Sequence, residues 1–508
     1  MKDREMPVIV GVGQVSEKEF DLESSSPVDL MEKAVANSFE DAGLSVETVA
    51  ELDILAVVKS FREATKNSPE ALARRIGANN AKQWLMPNGG NGPQYLVNRF
   101  SESIAERQCD FVVLAGAEAM ATARKIVKTT GNQPAWDEPS STEPQFLVKN
   151  HEMSTEHEQK HGLWLAPGFY AMAENAYRHH LGVPIDEHQE SMGRLFSSFT
   201  EVAEKSAHAW YPIKRSAEEI AYSSAENRMV AWPYTKYMNA MNQINQGASI
   251  ILMSETRALR LGIDRRKFIY LHGAADTIEK PLSTRSNFHS SQAMCVMAEQ
   301  VFVGGDLSMR DISFIDFYSC FPSAVEFARD AFGVAPDDPR PLTVTGGLPF
   351  HGGAGNNYVM NSIASMVDQL RKHPESFGLV TANGGYFSKH SAGIYSTVRR
   401  EPSWSRTLPE KYQTVIDSIP DVSFTENPSG EAVVETYTVL FDRENRPSQG
   451  LVVGRIGKSL DDRSCPRFFS IVEGDSFLLE SMTKQDMVGE KGRVYLKEGL
   501  NRFKFSSF

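Results

Sequence analysis

The feature that most limits what this chain can fold into is a pattern that occurs twice. "MPNGGNGPQYLVNRF", residues 86–100, places three glycines and two asparagines in the seven positions from Pro87 to Pro93, directly ahead of a helix-like run. "HGGAGNNYVMNSI", beginning at His351, repeats the arrangement. A helix entered through such a turn presents bare backbone N–H groups to whatever lies before it. It can cradle an anion or a carbonyl oxygen, or it can be a tight turn with a packing reason. Two similar halves, each with a stripped turn feeding a helix, imply a pseudo-symmetric pair of domains with a site between them.

The text around the turns has the alternation of an α/β fold, and largely parallel strands are predicted. "VIVGV" at 8–12 and "LDILAVV" at 52–58 read as strands around the amphipathic "PVDLMEKAVANSFEDAGL". The first turn leads through "YLVNRFSESIAERQ" to the strand "CDFVVLAGAEAM". From about 120 to 245 the text becomes helical and rich in His, Glu and Tyr, as a loop domain would be. A second round opens at Phe268 with "FIYLHGAA", the helix "SQAMCVMAEQVF", the strand "ISFIDFYSC" and the helix "SAVEFARDAFG", and ends on "FGLVTANGG". The predicted divisions are 1–260 for the first half with its loop domain, 261–400 for the second and 401–414 for a linker. Residues 415–508 form the last unit, where "AVVETYTVLF", "GLVVGRIG", "RFFSIVEGDSFLLESM" and "GRVYLKEGLNRFKF" read as strands of a small antiparallel barrel.

With 508 residues, the chain exceeds the ~250–300 at which a single core stops growing. A formal charge of −12 argues against nucleic acid or an anionic membrane as the main partner, and the barrel is not basic either. Cys109, Cys295, Cys320 and Cys465 lie far apart without CxxC spacing. A disulfide framework or zinc knuckle is therefore not expected, and a reducing cytoplasm is. "MKDREMPVIVGVGQ" has no apolar run long enough for a signal peptide or a membrane span, and "FKFSSF" is no peroxisomal address.

Several motifs invite a chemical reading. "GVGQVS" resembles a dinucleotide fingerprint, but its third position is Ser16 and no helix opens after it. "HEQKH", His157 to His161, has the spacing of a zinc protease, in which two imidazoles share a helical face, and Glu174 or His179 offers a third ligand. Gly162 and the polar text upstream favour a surface cluster in a solvated loop, so no metal is expected. Cys320 follows a strand, where functional groups gather, although a buried small hydrophobe is the usual role of a lone cysteine. His351 and His390 sit in Gly-rich loops as pocket candidates. Lys389 is a candidate to meet a phosphate, with a solvated lysine as the alternative.

Together these segments resemble the thiolase superfamily. "VNRFSESIAERQCDFVVLAGAEAM" is similar to the helix and strand after the thiolase nucleophile, and "YAMAENAYRHHLGV" to its loop domain. "RMVAWPYTKYMNAMNQINQGASIILMSETRALRLG" is similar to the crossover between halves, and "GGLPFHGGAGNN" stands where the family has GGxxxxGHP. The likeness spans about residues 5–400 and is greatest to the sterol-carrier-protein type. The added barrel, with "NGGYFSKH" and the "MPNGGNGP" turn, points to the type 1 thiolase-like proteins. The resemblance implies a layered αβαβα fold of two pseudo-symmetric halves with an inserted loop domain.

It also implies acyl-CoA chemistry run by a cysteine thiolate, a second cysteine and two His- or Asn-bearing turns. Carried over residue by residue, that set is empty. Gly89 takes the place of the nucleophilic cysteine and Tyr318 that of the His or Asn of the HDCF or NEAF turn. Gly353 lies under the GHP histidine, with His351 or Asn356 one slip away, and Ala382 with Asn383 falls near the second thiol. Gly90 and Gly92, with Lys389, remain as ligand-binding candidates.

The resemblance therefore implies a protein that binds CoA, acyl-CoA or a related thioester in lipid metabolism without thiolase activity and without a required cofactor. An acyltransferase using Cys320 with His351 or His390 as base is one alternative, and an interaction scaffold whose barrel docks a protein partner is another. Thiolases pair through the edge strand before the nucleophile. Here that strand ends at Pro87, which cannot donate a hydrogen bond, so a monomer fits and a dimer is the alternative.

Overall fold

A computed structural model describes residues 4–22, 25–136, 138–150, 152–304, 307–401, 403–460 and 464–507. The strands, in chain order, are β1 (Pro7–Ser16), β2 (Ile54–Val58), β3 (Lys82–Met86), β4 (Phe111–Ala119), β5 (Met229–Ala231) and β6 (Tyr234–Thr235). They continue with β7 (Asn245–Ser254), β8 (Ile269–Ile278), β9 (Ile312–Asp316), β10 (Phe377–Gly384) and β11 (Lys389–Ser396). The last unit holds β12 (Gly430–Phe441), β13 (Pro447–Ile456), β14 (Arg467–Val472), β15 (Lys491–Lys497) and β16 (Leu500–Phe505).

Nine strands hydrogen-bond in the order β3-β2-β4-β7-β1-β8-β11-β10-β9. The order reads as two mirrored halves meeting at β1 and β8, which pair over only two residues, Val8 with Tyr270 and Ile9 with Ile269. The sheet is mixed, which corrects the expectation of largely parallel strands. β2 runs parallel to β3 and β4, and β9 to β10, whereas the pairs from β4 through β7, β1, β8 and β11 to β10 are antiparallel. Four residues, 385–388, join β10 to β11, too few for the crossover a parallel pair needs.

The two helices that follow the Gly/Asn turns, Gly92–Ala105 and Tyr358–Lys372, pack on each other and on strands of both halves. The helix Pro27–Ala42 covers β1 and β7 from outside, and Gln292–Val303 covers β8 and β11, giving five alternating layers. Ser26 and Asp29 start the helix Pro27–Ala42 with a capping box, and Gly43 ends it at φ 70°. "GVGQVS" is part of β1, not of a loop. A Cβ on Gly11 or Gly13 would run into the backbone carbonyl of Ser38 or Ala34, so these glycines let that helix lie flat on the strand.

The outer edge of β3 is closed by the chain itself. Leu85 donates its N–H to the Gln145 carbonyl (2.8 Å), and Leu147 donates to that of Leu85 (3.0 Å).

The C-terminal strands close in the circular order β12-β13-β14-β16-β15, with β14 and β16 parallel and the remaining pairs antiparallel. The stretch 467–482 is not all strand, as its composition suggests. Asp475 accepts the Leu478 N–H and caps a short helix, Ser476–Ser481. The barrel is pinned to the body by Arg467. Its guanidinium holds Glu435 (2.8 and 2.6 Å) and donates to the carbonyls of Leu282, Ser283 and Arg285 (3.1, 3.3 and 2.6 Å). Arg455 clamps the same carboxylate (2.8 and 3.1 Å). The predicted linker is docked over its described residues 403–414, with Trp404 buried and Arg406 paired with Asp276 and Glu102. Among the described residues no helix is long and apolar enough to cross a membrane.

Candidate functional site

Strand β3 delivers Pro87, Asn88, Gly89, Gly90 and Asn91 to the head of the helix Gly92–Ala105, whose first turn carries Pro93. Gly89 has φ 151°, a backbone state that disfavours side chains. Its N–H donates to Asn356 Oδ1 (2.8 Å), while Asn356 Nδ2 donates to the carbonyl of Lys59 (2.8 Å) and to Asn88 Oδ1 (3.1 Å). One asparagine of the second turn thus locks the two turns together. Gly353, three residues earlier, packs instead on Asn242 and Met241.

The space beside Gly89 is taken. A Cβ there would lie 2.6 Å from Asn91 Oδ1 and 2.8 Å from Lys389 Nζ, and the lysine head donates to the Asn88 carbonyl at 2.5 Å. Gly90 packs against the Tyr318 hydroxyl and the Asn383 carbonyl, and Gly92 against Met86. Asn383 Nδ2 donates to the Tyr170 hydroxyl (2.8 Å), which donates to the Gly385 carbonyl (2.8 Å). Gly89, Gly90, Tyr318, Asn356, Asn383 and Lys389 therefore meet at one place. Ala382 is buried in β10 opposite Ser391.

Cys320, His351 and His390 do not meet. Burial pushes the Cys320 thiol up to about 12, and the groups bearing on it are the Tyr170 side chain and the backbone at Cys320 and Phe321. His351, fully buried, faces Gln246 through Nδ1 (3.4 Å), and burial lowers it to about 3. His390 shares its Nε2 between Ser291 (3.2 Å) and the Phe387 carbonyl (3.1 Å), and burial lowers it to about 4. A thiol protonated at neutral pH with no imidazole in contact has no activated form, so this geometry does not supply the cysteine–histidine pair.

"HEQKH" is not the solvated surface cluster its flanking text suggests. Thr155 and Glu158 form a capping box on a short helix, Glu156–Lys160, and Glu158 is buried. His161 Nδ1 faces the His157 carbonyl (2.7 Å), and its Nε2 accepts the Asn501 N–H of the barrel (3.0 Å). His157 lies tilted against His161 and edges onto Phe424, so the pair cements the barrel to the body. His179 is turned to Asp486 (2.6 Å) and Glu174 to His188 (2.6 Å), which removes both as third ligands.

Glu174 and His188 do join Glu326 in a buried group whose ligand atoms lie within 4.8 Å of one another, the type of donor set that suits a metal. The group also balances without one. His188 and the Tyr234 hydroxyl (2.7 Å) serve Glu174, while burial and the neighbouring Glu174 raise Glu326 well above the carboxylate range.

One residue that the sequence reading passed over stands beneath the second turn. Glu118, in "FVVLAGAEAM", is 1% exposed at the end of β4 and accepts the Phe61 N–H through Oε1 (2.7 Å). Its Oε2 has no partner, and Gly355 rests on the carboxyl. Its signal was a lone acid in an otherwise apolar strand. Burial pushes Glu118 from its ordinary 4.5 up to about 8. The folded state therefore holds this proton more tightly than the unfolded chain. The advantage is complete below pH 4.5 and is lost as pH rises through 8. Glu118→Gln, which mimics the protonated acid, escapes that loss. We expect it to exceed the natural chain by about 4 kcal/mol at pH 9 and to match it near pH 4, by urea unfolding. Equal midpoints at pH 9 would show that Glu118 ionises freely in the fold.

Two cavities flank these residues. One, of about 550 Å³, opens where Lys389 and Ser388 meet Glu152, Met153 and Thr155. A larger cleft, of about 930 Å³, runs beside the loop-domain helix Ile185–Ala203 and is lined by Gln14, His208, Arg194, Lys205 and Lys372. Behind His208, the buried Gln246 donates to the His208 carbonyl (3.0 Å) and packs on Gly352 of the second turn.

Comparison with known proteins places this geometry among relatives. Residues 411–498 match the thiolase-like protein type 1 additional C-terminal domain. Over its whole length the chain is 36% identical to a monomeric SCP2-thiolase like protein type 1 from Mycobacterium smegmatis, with all of both chains covered and a TM-score of 0.85. An acetyl-CoA acetyltransferase from Syntrophomonas wolfei shares the fold at 14% identity, over 78% of this chain and 100% of its own (TM-score 0.56). The dimeric peroxisomal thiolase of Saccharomyces cerevisiae does so at 13%, over 78% and 98% (TM-score 0.56). No curated protein matches the chain.

Proposed function

The chain belongs to the type 1 SCP2-thiolase-like proteins, and from that premise we propose that it binds an acyl thioester of the coenzyme A type without carrying out the thiolase reaction. One observation carries the reading. The two turns are tied together through Asn356 and Gly89, and the Lys389 head stands beside Gly89, the position that the resemblance aligns with the family's attacking cysteine. A glycine cannot form a thioester, and losing one member of such a catalytic unit costs a factor of about 10³–10⁶ in rate. Backbone geometry for an acyl carbonyl survives while the attacking atom does not.

The larger cleft suits the rest of such a ligand. Its volume is adequate, and Arg194, Lys205 and Lys372 offer positive charge to phosphates. On this reading the protein acts as a carrier or sensor in lipid metabolism, in a reducing compartment such as the cytoplasm, where cysteines stay as thiols. It acts as a single chain, because the β3 edge is spent on residues 145–147 and Pro87 ends it.

Calorimetric titration with CoA and long-chain acyl-CoAs tests the proposal. Saturable heat is expected, and Lys205→Glu combined with Lys372→Glu is expected to weaken binding about tenfold through charge reversal. Absence of heat and of any thermal shift at millimolar ligand would overturn it.

A further inference from the structure

We infer that the ε-amine of Lys389, seated where a side chain on Gly89 would point and reached from the 550 Å³ cleft, is a nucleophile that captures uncharged ketones or aldehydes as imines. This goes beyond thioester binding and does not depend on it.

Lys389 begins β11, and its register opposite Gly384 brings the side chain over the first turn. It is 9% exposed, its Nζ lies 2.8 Å from the position of a Gly89 Cβ, and its protein acceptor is a neutral carbonyl, that of Asn88. Among the described residues no carboxylate is bonded to it. Burial holds the ammonium below its ordinary range, with Glu152 pulling weakly the other way, which raises the fraction of free amine near neutrality. A desolvated lysine of this kind is the usual amine nucleophile toward carbonyl carbon. Asn91 Oδ1, buried and without a partner, lies beside the same point, 2.6 Å from the Gly89 Cβ position, as an acceptor for a hydroxyl or N–H formed there.

The cleft selects the class of ligand. Glu152, Glu156, Glu158 and Glu279 line it against Lys280 and Lys389, so an uncharged carbonyl compound enters more readily than an acid. In the reaction the Nζ lone pair forms a C–N bond to the carbonyl carbon as the C=O π bond breaks, giving a carbinolamine. The oxygen then leaves as water with the two amine hydrogens, and the imine nitrogen takes a proton from solvent.

The experiment uses the full chain with butanone as probe and cyanoborohydride as the hydride donor that fixes the imine as a secondary amine. Peptide mapping by mass spectrometry is expected to find the butyl adduct at Lys389 at least about tenfold faster than at any other lysine. Pyruvate, an anionic ketone, should label it more slowly. Lys389→Arg, which keeps the charge and the bond to Asn88, should lose that adduct alone. Labelling spread evenly over surface lysines, or an unmodified Lys389 in the natural chain, would overturn the inference whether or not the arginine variant folds. Because the probe carries no coenzyme A, failure here leaves the calorimetric test untouched.

Discussion

Gly89→Cys is expected to give a less stable protein that still lacks thiolase activity. The substitution restores the family's nucleophile on paper, and the surroundings forbid it. At φ 151° a side chain is strained, by about 1–3 kcal/mol. Its Cβ would sit 2.6 Å from Asn91 Oδ1 and 2.8 Å from Lys389 Nζ, so at least one neighbour must move, an overpacking cost of another 1–3 kcal/mol. We therefore expect a total loss of about 2–6 kcal/mol in urea unfolding. Adding Lys389→Ala should return part of it by vacating the contested space. On the alignment that the resemblance implies, Tyr318 and Ala382 stand at the family's proton-handling positions, so one restored sulfur leaves the set incomplete and no activity is expected. Thiolysis of acetoacetyl-CoA by Gly89→Cys at an ordinary enzymatic pace would show that the turn tolerates a thiolate and that the rest of the machinery is present.

The second large effect concerns the barrel. Glu435→Ala removes the shared carboxylate of Arg455 and Arg467 and leaves two guanidiniums, 5% and 0% exposed, without a counter-charge. Breaking a buried pair this way costs about 3–5 kcal/mol, far more than an exposed ion pair is worth. Since Arg467 also carries the bonds to Leu282, Ser283 and Arg285, the penalty falls on the joint between barrel and body. We expect unfolding to split into two transitions and proteolysis to open between 401 and 430, with the thiolase-like body intact. A single transition at the natural midpoint would remove this ion cluster from any part in docking.

The barrel strands, the doubled turn and the capped helices could be read along the chain because each is written in near-neighbour residues. Ser26 with Asp29, Gly43, and the alternation in "AVVETYTVLF" are local signals with local causes. Readings that depended on the solvent side of a segment went astray. "HEQKH" has a polar neighbourhood in sequence, yet His161 is 3% exposed because Asn501, 340 residues later, folds over it. The strand text at 467–482 hides a helix because Asp475 caps it at a point where the apolar pattern gives no warning. Strand direction is hidden because a strand buried on both faces, such as β4, reads as one continuous apolar run whether its neighbour is parallel, as β2 is, or antiparallel, as β7 is.

The two-halved α/β plan and the Gly/Asn-rich turn at residues 87–93 can be read along the chain, since backbone periodicity and residue identity are written one position at a time. Only the tertiary structure decided what fills the vacated place. Lys389 reaches Gly89 across 300 positions, Asn356 rather than Gly353 ties the turns, and Glu118 is stripped of water beneath them. Those outcomes depend on desolvation and contact between distant segments, and neither exists until the chain has folded.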